Sequence, residues 1–218
     1  MSHERHEPHL GLVLFWPIAV RGGFEPRSRS LTVPKRFHKG KFLVARPELI
    51  DPNFSKSVVY LFEHTEEGAA GVVVNRPSKH TVAELASTIF NDEIDWEKPI
   101  HVGGPVGGPL LVVHQDADWA DEEVDTEIYR TVDPDKLRHI LDRKIEPSIV
   151  VANYAGWGPN QLEFELNENA WDVVEASPKF VFWNELKDLW DILTARSQVK
   201  RLNQVLKIRN TPKDPTSN

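Results

Sequence analysis

The sequence predicts an α+β domain built on a mixed sheet, and three observations lead there. Short runs rich in Val, Ile and aromatic residues are punctuated by Gly, Pro and Asn, as strands and tight turns are. Apolar residues recur at helical spacing in several separate stretches. The order of these elements, hairpin, helix, hairpin, helix, strand, helix, departs from the regular βαβ alternation of a parallel sheet.

Residues 42–45 form a short apolar run and residues 57–62 (SVVYLF) a β-branched and aromatic one. Arg46-Pro47 and Asp51-Pro52 mark the loop between them, because the residue before proline is driven out of the α region. Glu66-Glu67-Gly68 turns the chain into a returning strand at 71–74, a hairpin that Asn75-Arg76-Pro77 closes. Thr81 and Glu84 have capping-box spacing, and Val82, Leu85, Ala86 and Ile89 give the helix behind them its apolar stripe. Runs at 100–102 and 110–114 are separated by only seven residues, which predicts antiparallel neighbours.

Residues 116–127 carry seven acidic side chains and no basic one, the composition of a solvated loop. Asp133-Pro134 supplies an N-cap and a proline at N1 for a helix striped by Leu137, Ile140 and Leu141. Ser148–Ala152 (SIVVA) has the near-continuous apolar pattern of a central strand buried on both faces. The segment 154–159 turns out of it, and a helix opens at Gln161. Residues 171–174 and 179–183 read as strands, and Leu186, Leu189, Trp190 and Leu193 mark a last helix that Val199, Leu202 and Leu206 can prolong. The organisation is an N-terminal arm at 1–39, a domain at 40–196 and a basic tail at 197–218.

Charge narrows the function classes. Residues 1–41 hold eight Lys/Arg against three Asp/Glu, and residues 197–218 five against one. That leaves 13 basic and 29 acidic residues for 42–196, a net of −16. Such a body repels phosphate backbones, so direct nucleic-acid binding by the core is not expected; only the tails could tether it. The absence of cysteine removes disulfides, thiol nucleophiles and thiolate metal sites, and fits a reducing cytoplasm. Residues 10–20 are apolar but interrupted by Pro17, too short for the ~20 residues of a membrane span and without the basic start of a signal peptide. The expectation is a cytoplasmic protein with no membrane association.

Nucleotide-binding and hydrolase signatures fail: there is no P-loop, no G-x-S-x-G, and Gly156-Trp157-Gly158 lacks the third glycine of a dinucleotide fingerprint. His3, His6 and His9 suit adventitious ions, and His64, His101 and His114 read as rim histidines at strand ends, so neither a metal nor a cofactor is expected. Three strand-end turns remain. Asn75 and Arg76 place a guanidinium at the mouth of a strand, available for a carboxylate or phosphate ligand or for an internal ion pair. Gly103 and Gly104 either expose amides or make a tight corner. Tyr154, Gly156 and Trp157 form either a ligand wall or core packing.

Read together, these turns resemble the YqgE/AlgH family of bacterial proteins. The matching residues are Gly40-Lys41-Phe42-Leu43-Val44-Ala45, Asp51-Pro52-Asn53-Phe54, Gly71-Val72-Val73-Val74-Asn75-Arg76-Pro77, Gly103-Gly104-Pro105-Val106, Tyr154-Ala155-Gly156-Trp157 and Gln161-Leu162-Glu163. The family usually has Gly before the Tyr-Ala-Gly-Trp and Gln-Leu-Glu motifs, where this chain has Asn153 and Asn160; Asn tolerates the left-handed conformation better than most residues. The resemblance implies a strongly curved or barrel-like sheet surrounded by helices, in an uncharacterised family some of whose members carry a transcriptional-regulator label.

The first functional reading is a non-enzymatic regulatory or adaptor protein that binds a small ligand or a protein partner through Asn75, Arg76, Gly103, Gly104, Tyr154, Gly156, Trp157, Gln161 and His64. A second is a hydrolase or transferase in which His64 does acid–base work, oriented by Glu63, Asp51 or Glu163, with the Gly103 and Gly104 amides holding an oxyanion. A third is indirect transcriptional regulation.

Overall fold

The computed structural model describes residues 37–90 and 93–206. The apolar run at 10–20 and the end of the basic tail lie outside them. The chain begins β1 (Lys41–Ala45), β2 (Val58–Thr65), β3 (Gly68–Val73), β4 (Pro77–Thr81), α1 (Val82–Ile89), β5 (Pro99–Val102) and β6 (Leu111–His114). It continues β7 (Glu122–Asp125), β8 (Ile128–Thr131), α2 (Pro134–Asp142), β9 (Ser148–Ala152) and β10 (Ala155–Trp157). It closes with α3 (Gln161–Asn167), β11 (Trp171–Glu175), α4 (Pro178–Val181) and α5 (Leu186–Val205).

The fold is α+β, with its strands divided between two open sheets. One is antiparallel throughout, in the order β10-β3-β2-β1-β11; the other, β4-β5-β9-β6-β8-β7, is mixed, its β5–β9 pair being parallel. Alternation along the strands places three apolar layers. Val58, Tyr60 and Phe62 of β2 meet Val113, Ile149 and Val151 of the second sheet in a shared core that α5 covers with Leu189, Trp190 and Leu193. Val59 and Leu61 face the other way, against Leu162 of α3 and Trp157 and Trp171. On the far side of the mixed sheet, Val112 and Val150 pack on α1 and α2 through Ala86, Leu137 and Ile140. Each fully buried aliphatic side chain contributes about 1.5–3 kcal/mol relative to exposure.

The predicted β2–β3 hairpin, the central position of β9, the capping box at Thr81 and the Asp133 cap of α2 are all present. Four local expectations are corrected. The strands at 100–102 and 110–114 run antiparallel but are not neighbours, because β9 lies between them. Ile149 and Val151 face one core and Val150 the other, so β9 is stable only with a partner on each edge, and the eight residues between β5 and β6 readily cross the ~10 Å of two strand spacings.

The acidic stretch is not simply a loop: β7 forms the sheet edge, with Val124 turned inward and Glu122 paired with Arg130 at 2.8 Å and with Lys39. Charge on an edge strand blocks pairing with other chains. The segment 154–159 does not merely turn, since β10 adds to the edge of the antiparallel sheet beside β3. Residues 179–183 contain a helical turn instead of a strand; Pro178 suits N1, and the consecutive Phe180 and Val181 are both buried, which a strand's alternation would prevent against a single core.

Helix α5 runs without a break past residue 196 and is tied down along its length. Trp190 Nε1 donates to the Ala45 carbonyl at 2.7 Å, and Ser197 Oγ donates to Asp172 Oδ2 at 2.7 Å. Asp172 also takes Arg46 Nε at 2.9 Å and pairs with Arg201. Burial alone would raise the Asp172 pKa, but the hydrogen bonds from Arg201 and Ser197 and the two guanidinium charges outweigh it and hold the group below the usual carboxylate range.

Asn153 and Asn160 both adopt the left-handed conformation, with φ of 65° and 63°. Replacing either by Gly is expected to change stability by less than about 1 kcal/mol, whereas Val at either position is expected to cost about 1–2 kcal/mol in urea unfolding, because a branched Cβ crowds its own carbonyl there. Equal tolerance of Gly and Val would contradict the assigned backbone.

Candidate functional site

The three strand-end turns meet where the two sheets join. Gly103 donates its N–H to the Ala152 carbonyl at 2.9 Å and accepts from Val73 N–H at 2.8 Å. Val106 and Tyr154 exchange two hydrogen bonds of 3.0 Å, and Val102 N–H donates to the Arg76 carbonyl at 3.0 Å. The glycines serve close packing: a Cβ on Gly103 would lie 2.4 Å from the Asn153 carbonyl oxygen, and one on Gly104 2.3 Å from that of Tyr154. A Cβ on Gly156 would press on the Tyr154 ring at 3.2 Å.

The side chains expected to bind a ligand there are used internally. Asn75 Oδ1 accepts from Val58 N–H at 2.9 Å while its amide donates to the Lys56 carbonyl at 2.9 Å, which fixes the entry to β2. Arg76 donates to the carbonyls of Asn53 and Ser55, stitching the preceding loop to the strand end.

Trp157 is buried, and its indole N–H donates to Glu165 Oε2 at 2.8 Å. The same oxygen accepts Trp171 Nε1 at 2.8 Å, and Gln161 Nε2 reaches Glu165 Oε1 at 3.1 Å. Gln161 Oε1 in turn accepts Gly158 N–H at 3.0 Å, closing the turn before α3. Phe54 stacks on Trp157 and meets Trp171 edge-on, so the carboxylate sits in an aromatic box. Burial raises the Glu165 pKa above the ordinary carboxylate value, and the bonds from Trp171, Trp157 and Gln161 only partly offset it. Glu165 was no candidate from the sequence; its only signal is an acidic residue between Leu162 and Leu166 on a helix flanked by two tryptophan-bearing strands.

His64 stands apart from this junction. Its Nδ1 accepts His38 N–H at 3.0 Å, so the ring proton is on Nε2 and points to Glu163 Oε1 at 3.3 Å. Glu63 is exposed, and Asp51 is buried and accepts Asn53 N–H at 2.8 Å. His64 pairs with Ala69, whereas Gly103 joins β3 at Val73, four residues or ~13 Å along the strand. The Gly103 amide therefore cannot serve chemistry at His64, and its N–H is already engaged.

A cavity of about 600 Å³ lies elsewhere, between β5, the start of β9 and the segment joining α4 to α5. Three buried polar atoms in its lining residues lack any partner among the described residues: His101 Nδ1 and Trp183 Nε1, on the Ile149 face of the mixed sheet, and Ser148 Oγ, which strand register puts on the opposite, Val150 face. Lys98 and Glu146, also in the lining, pair with each other, and Glu146 accepts Ser148 N–H at 2.9 Å. Burial drives the His101 pKa down to about 4, against a hydrogen bond to the Val74 carbonyl and with help from the Lys98 charge, so the ring is neutral near pH 7. None of the nine residues expected to bind a ligand lines this cavity. His101 was legible only as a strand-end histidine; Ser148 and Trp183 carry no local sequence signal, because they come from segments 35 residues apart.

An AlgH-like family model matches residues 42–201. A UPF0301 protein of Xanthomonas axonopodis pv. citri is 39% identical over 163 residues, covering 72% of this chain and 87% of its own length. One from Vibrio atlanticus is 37% identical over 163 residues, covering 69% and 87%. The solution structure of the AlgH protein from Pseudomonas aeruginosa superposes with a TM-score of 0.64 at 31% identity, covering 85% of this chain and all of that one. A crystal structure of a Corynebacterium diphtheriae protein gives 0.61 at 22% identity, over 74% and 88%, a likeness of fold alone.

The Glu165 node has a signed pH dependence. A carboxyl whose pKa is higher folded than unfolded stabilises the fold most below the unfolded value of ~4.3, and that contribution is lost as pH rises through the folded value. Relative to the wild type, Glu165→Gln is therefore expected to gain stability as pH rises from about 4 to 7, while Glu165→Ala, which strands two indole N–H groups, is expected to cost about 2–5 kcal/mol throughout. Urea unfolding of the three proteins across that range is the measurement; a pH-independent difference between wild type and Glu165→Gln would refute the assigned shift.

Proposed function

This chain belongs to the AlgH-like family, and we propose that it is a non-enzymatic regulatory protein that takes a small polar molecule into the cavity beside β5 and β9. One observation carries the reading: His101 and Trp183, whose Nδ1 and Nε1 have no partner among the described residues, line one space on the Ile149 face of the mixed sheet. A buried polar group without a partner costs about 1–3 kcal/mol, so two in the lining of one cavity favour an occupant that they can bond once their rings turn toward it. Its size falls within the range of small-molecule sites.

Binding is favoured over turnover by the same atoms. Ser148 Oγ has no hydrogen-bond partner, so it is not activated by His101 as a nucleophile needs to be. The contact between His64 and Glu163 is the best support for acid–base chemistry, but neither residue lines this cavity. Any regulatory effect on transcription would be indirect, since the body from 42 to 196 has a net charge of −16.

The test is a thermal-shift and ¹⁵N-correlation screen of the full chain against a panel of neutral, anionic and cationic metabolites. Hits are expected to perturb Trp183 indole and Ser148 amide signals, and Pro99→Trp, which narrows the cavity from its exposed rim, is expected to abolish binding while keeping the dispersed spectrum. Hits that bind Pro99→Trp unchanged, or a panel without hits, would overturn the proposal.

A further inference from the structure

Helix α5 is apolar on two opposite faces, and we propose that the outer one is the seam of a parallel, two-stranded coiled coil formed with α5 of a second copy of this chain. The inner face, with Leu189, Trp190, Leu193, Thr194 and Ser197, is buried against the body. The outer stripe is Ile192, Ala195, Val199, Leu202 and Leu206, in alternating steps of three and four residues. At 3.6 residues per turn its mean direction lies about 180° from the inner face, so a partner helix would lie on the side away from the sheets. Val199, Leu202 and Leu206 are between 55% and 57% exposed, and Ala195 is exposed as well. The helical bonding reaches the end of the stripe, where Leu206 N–H donates to the Leu202 carbonyl at 2.9 Å.

The pattern selects the occupant. Alternating steps of three and four are the a/d repeat of a coiled coil, a narrower stripe than the one that seats a helix on a globular core. Ile192, Val199 and Leu206 take the a positions, and Ala195 and Leu202 the d positions. β-Branched residues at the first two a positions with leucine at the large d position favour two parallel strands. Charge fixes the direction: Asp191 at g and Arg196 at e are five residues apart, so parallel alignment sets Asp191 of each copy beside Arg196 of the other. Antiparallel alignment brings g to g and e to e, and leaves these two charges apart. Residues 10–20 of the same chain offer no matching repeat, since Pro17 interrupts them. Two heptads are few for free peptides, but Trp190 bonded to Ala45, and Ser197 and Arg201 bonded to Asp172, hold this helix formed beforehand, so pairing does not have to order it. So short a seam buries less than the ~1,200 Å² of a standard interface, which sets the expected dissociation constant at about 10–200 µM.

Sedimentation equilibrium of the full chain across that range, from about 5 to 500 µM, tests the pairing. Reversible dimers are expected, and Leu202→Glu, on the exposed face, is expected to weaken them at least about 10-fold while leaving the urea midpoint of the dilute protein unchanged. Asp191→Lys and Arg196→Glu are each expected to weaken self-association about 3- to 10-fold by setting like charges together. An equimolar mixture of these two variants, in which both contacts are again of opposite sign, is expected to dimerise as tightly as the wild type. A chain that stays monomeric overturns the inference; if Leu202→Glu then shifts the Trp16 indole signal, residues 10–20 cover the stripe instead. Dimers indifferent to Leu202→Glu overturn it too, and so does a mixture that associates no more tightly than its components.

Discussion

Backbone meets backbone where the two sheets of this protein join, and that contact sets everything around it. Gly103 bridges Ala152 of β9 and Val73 of β3, so one residue at the end of β5 ties the mixed sheet to the antiparallel one. Its neighbour Gly104 lies against the Tyr154 backbone too closely for any side chain. With this junction fixed, β9 must pass between β5 and β6, and β10 must continue onto the opposite sheet. The shared core then closes under α5.

Glu165 illustrates how the outer layer is specified. A carboxylate in an aromatic box costs desolvation, yet it is the common acceptor for Trp157 and Trp171, which reach it from β10 and β11. Those strands are the two edges of the antiparallel sheet, so α3 spans the sheet and clasps both margins through one side chain. A hydrophobic residue there would pack without such direction, and the polar node fixes where the helix sits. Helix α5 is positioned by the comparable node at Asp172.

Against this economy the cavity is conspicuous. At the three turns and in the aromatic box, the buried polar groups named above find partners within the chain. Beside the cavity, His101 Nδ1 and Trp183 Nε1 find none among the described residues, although they come from segments far apart in the chain. The turns thus do the work of folding, and the cavity proposed above for recognition lies beside them.

The sequence by itself determined the fold class, the β2–β3 hairpin, the capped helices α1 and α2 and the central strand β9, because these follow from local spacing, caps and turn residues. It also located the three turns, and Asn153 and Asn160 were legible as left-handed positions from residue type. Only the tertiary structure decided that β9 separates β5 from β6, that the acidic stretch becomes an edge strand, and that Trp157 belongs to a core. Pairing order and burial depend on contacts between residues distant in the chain, which no local pattern records. The cavity is the extreme case: its lining residues come together only when β5, β9 and the α4–α5 segment meet.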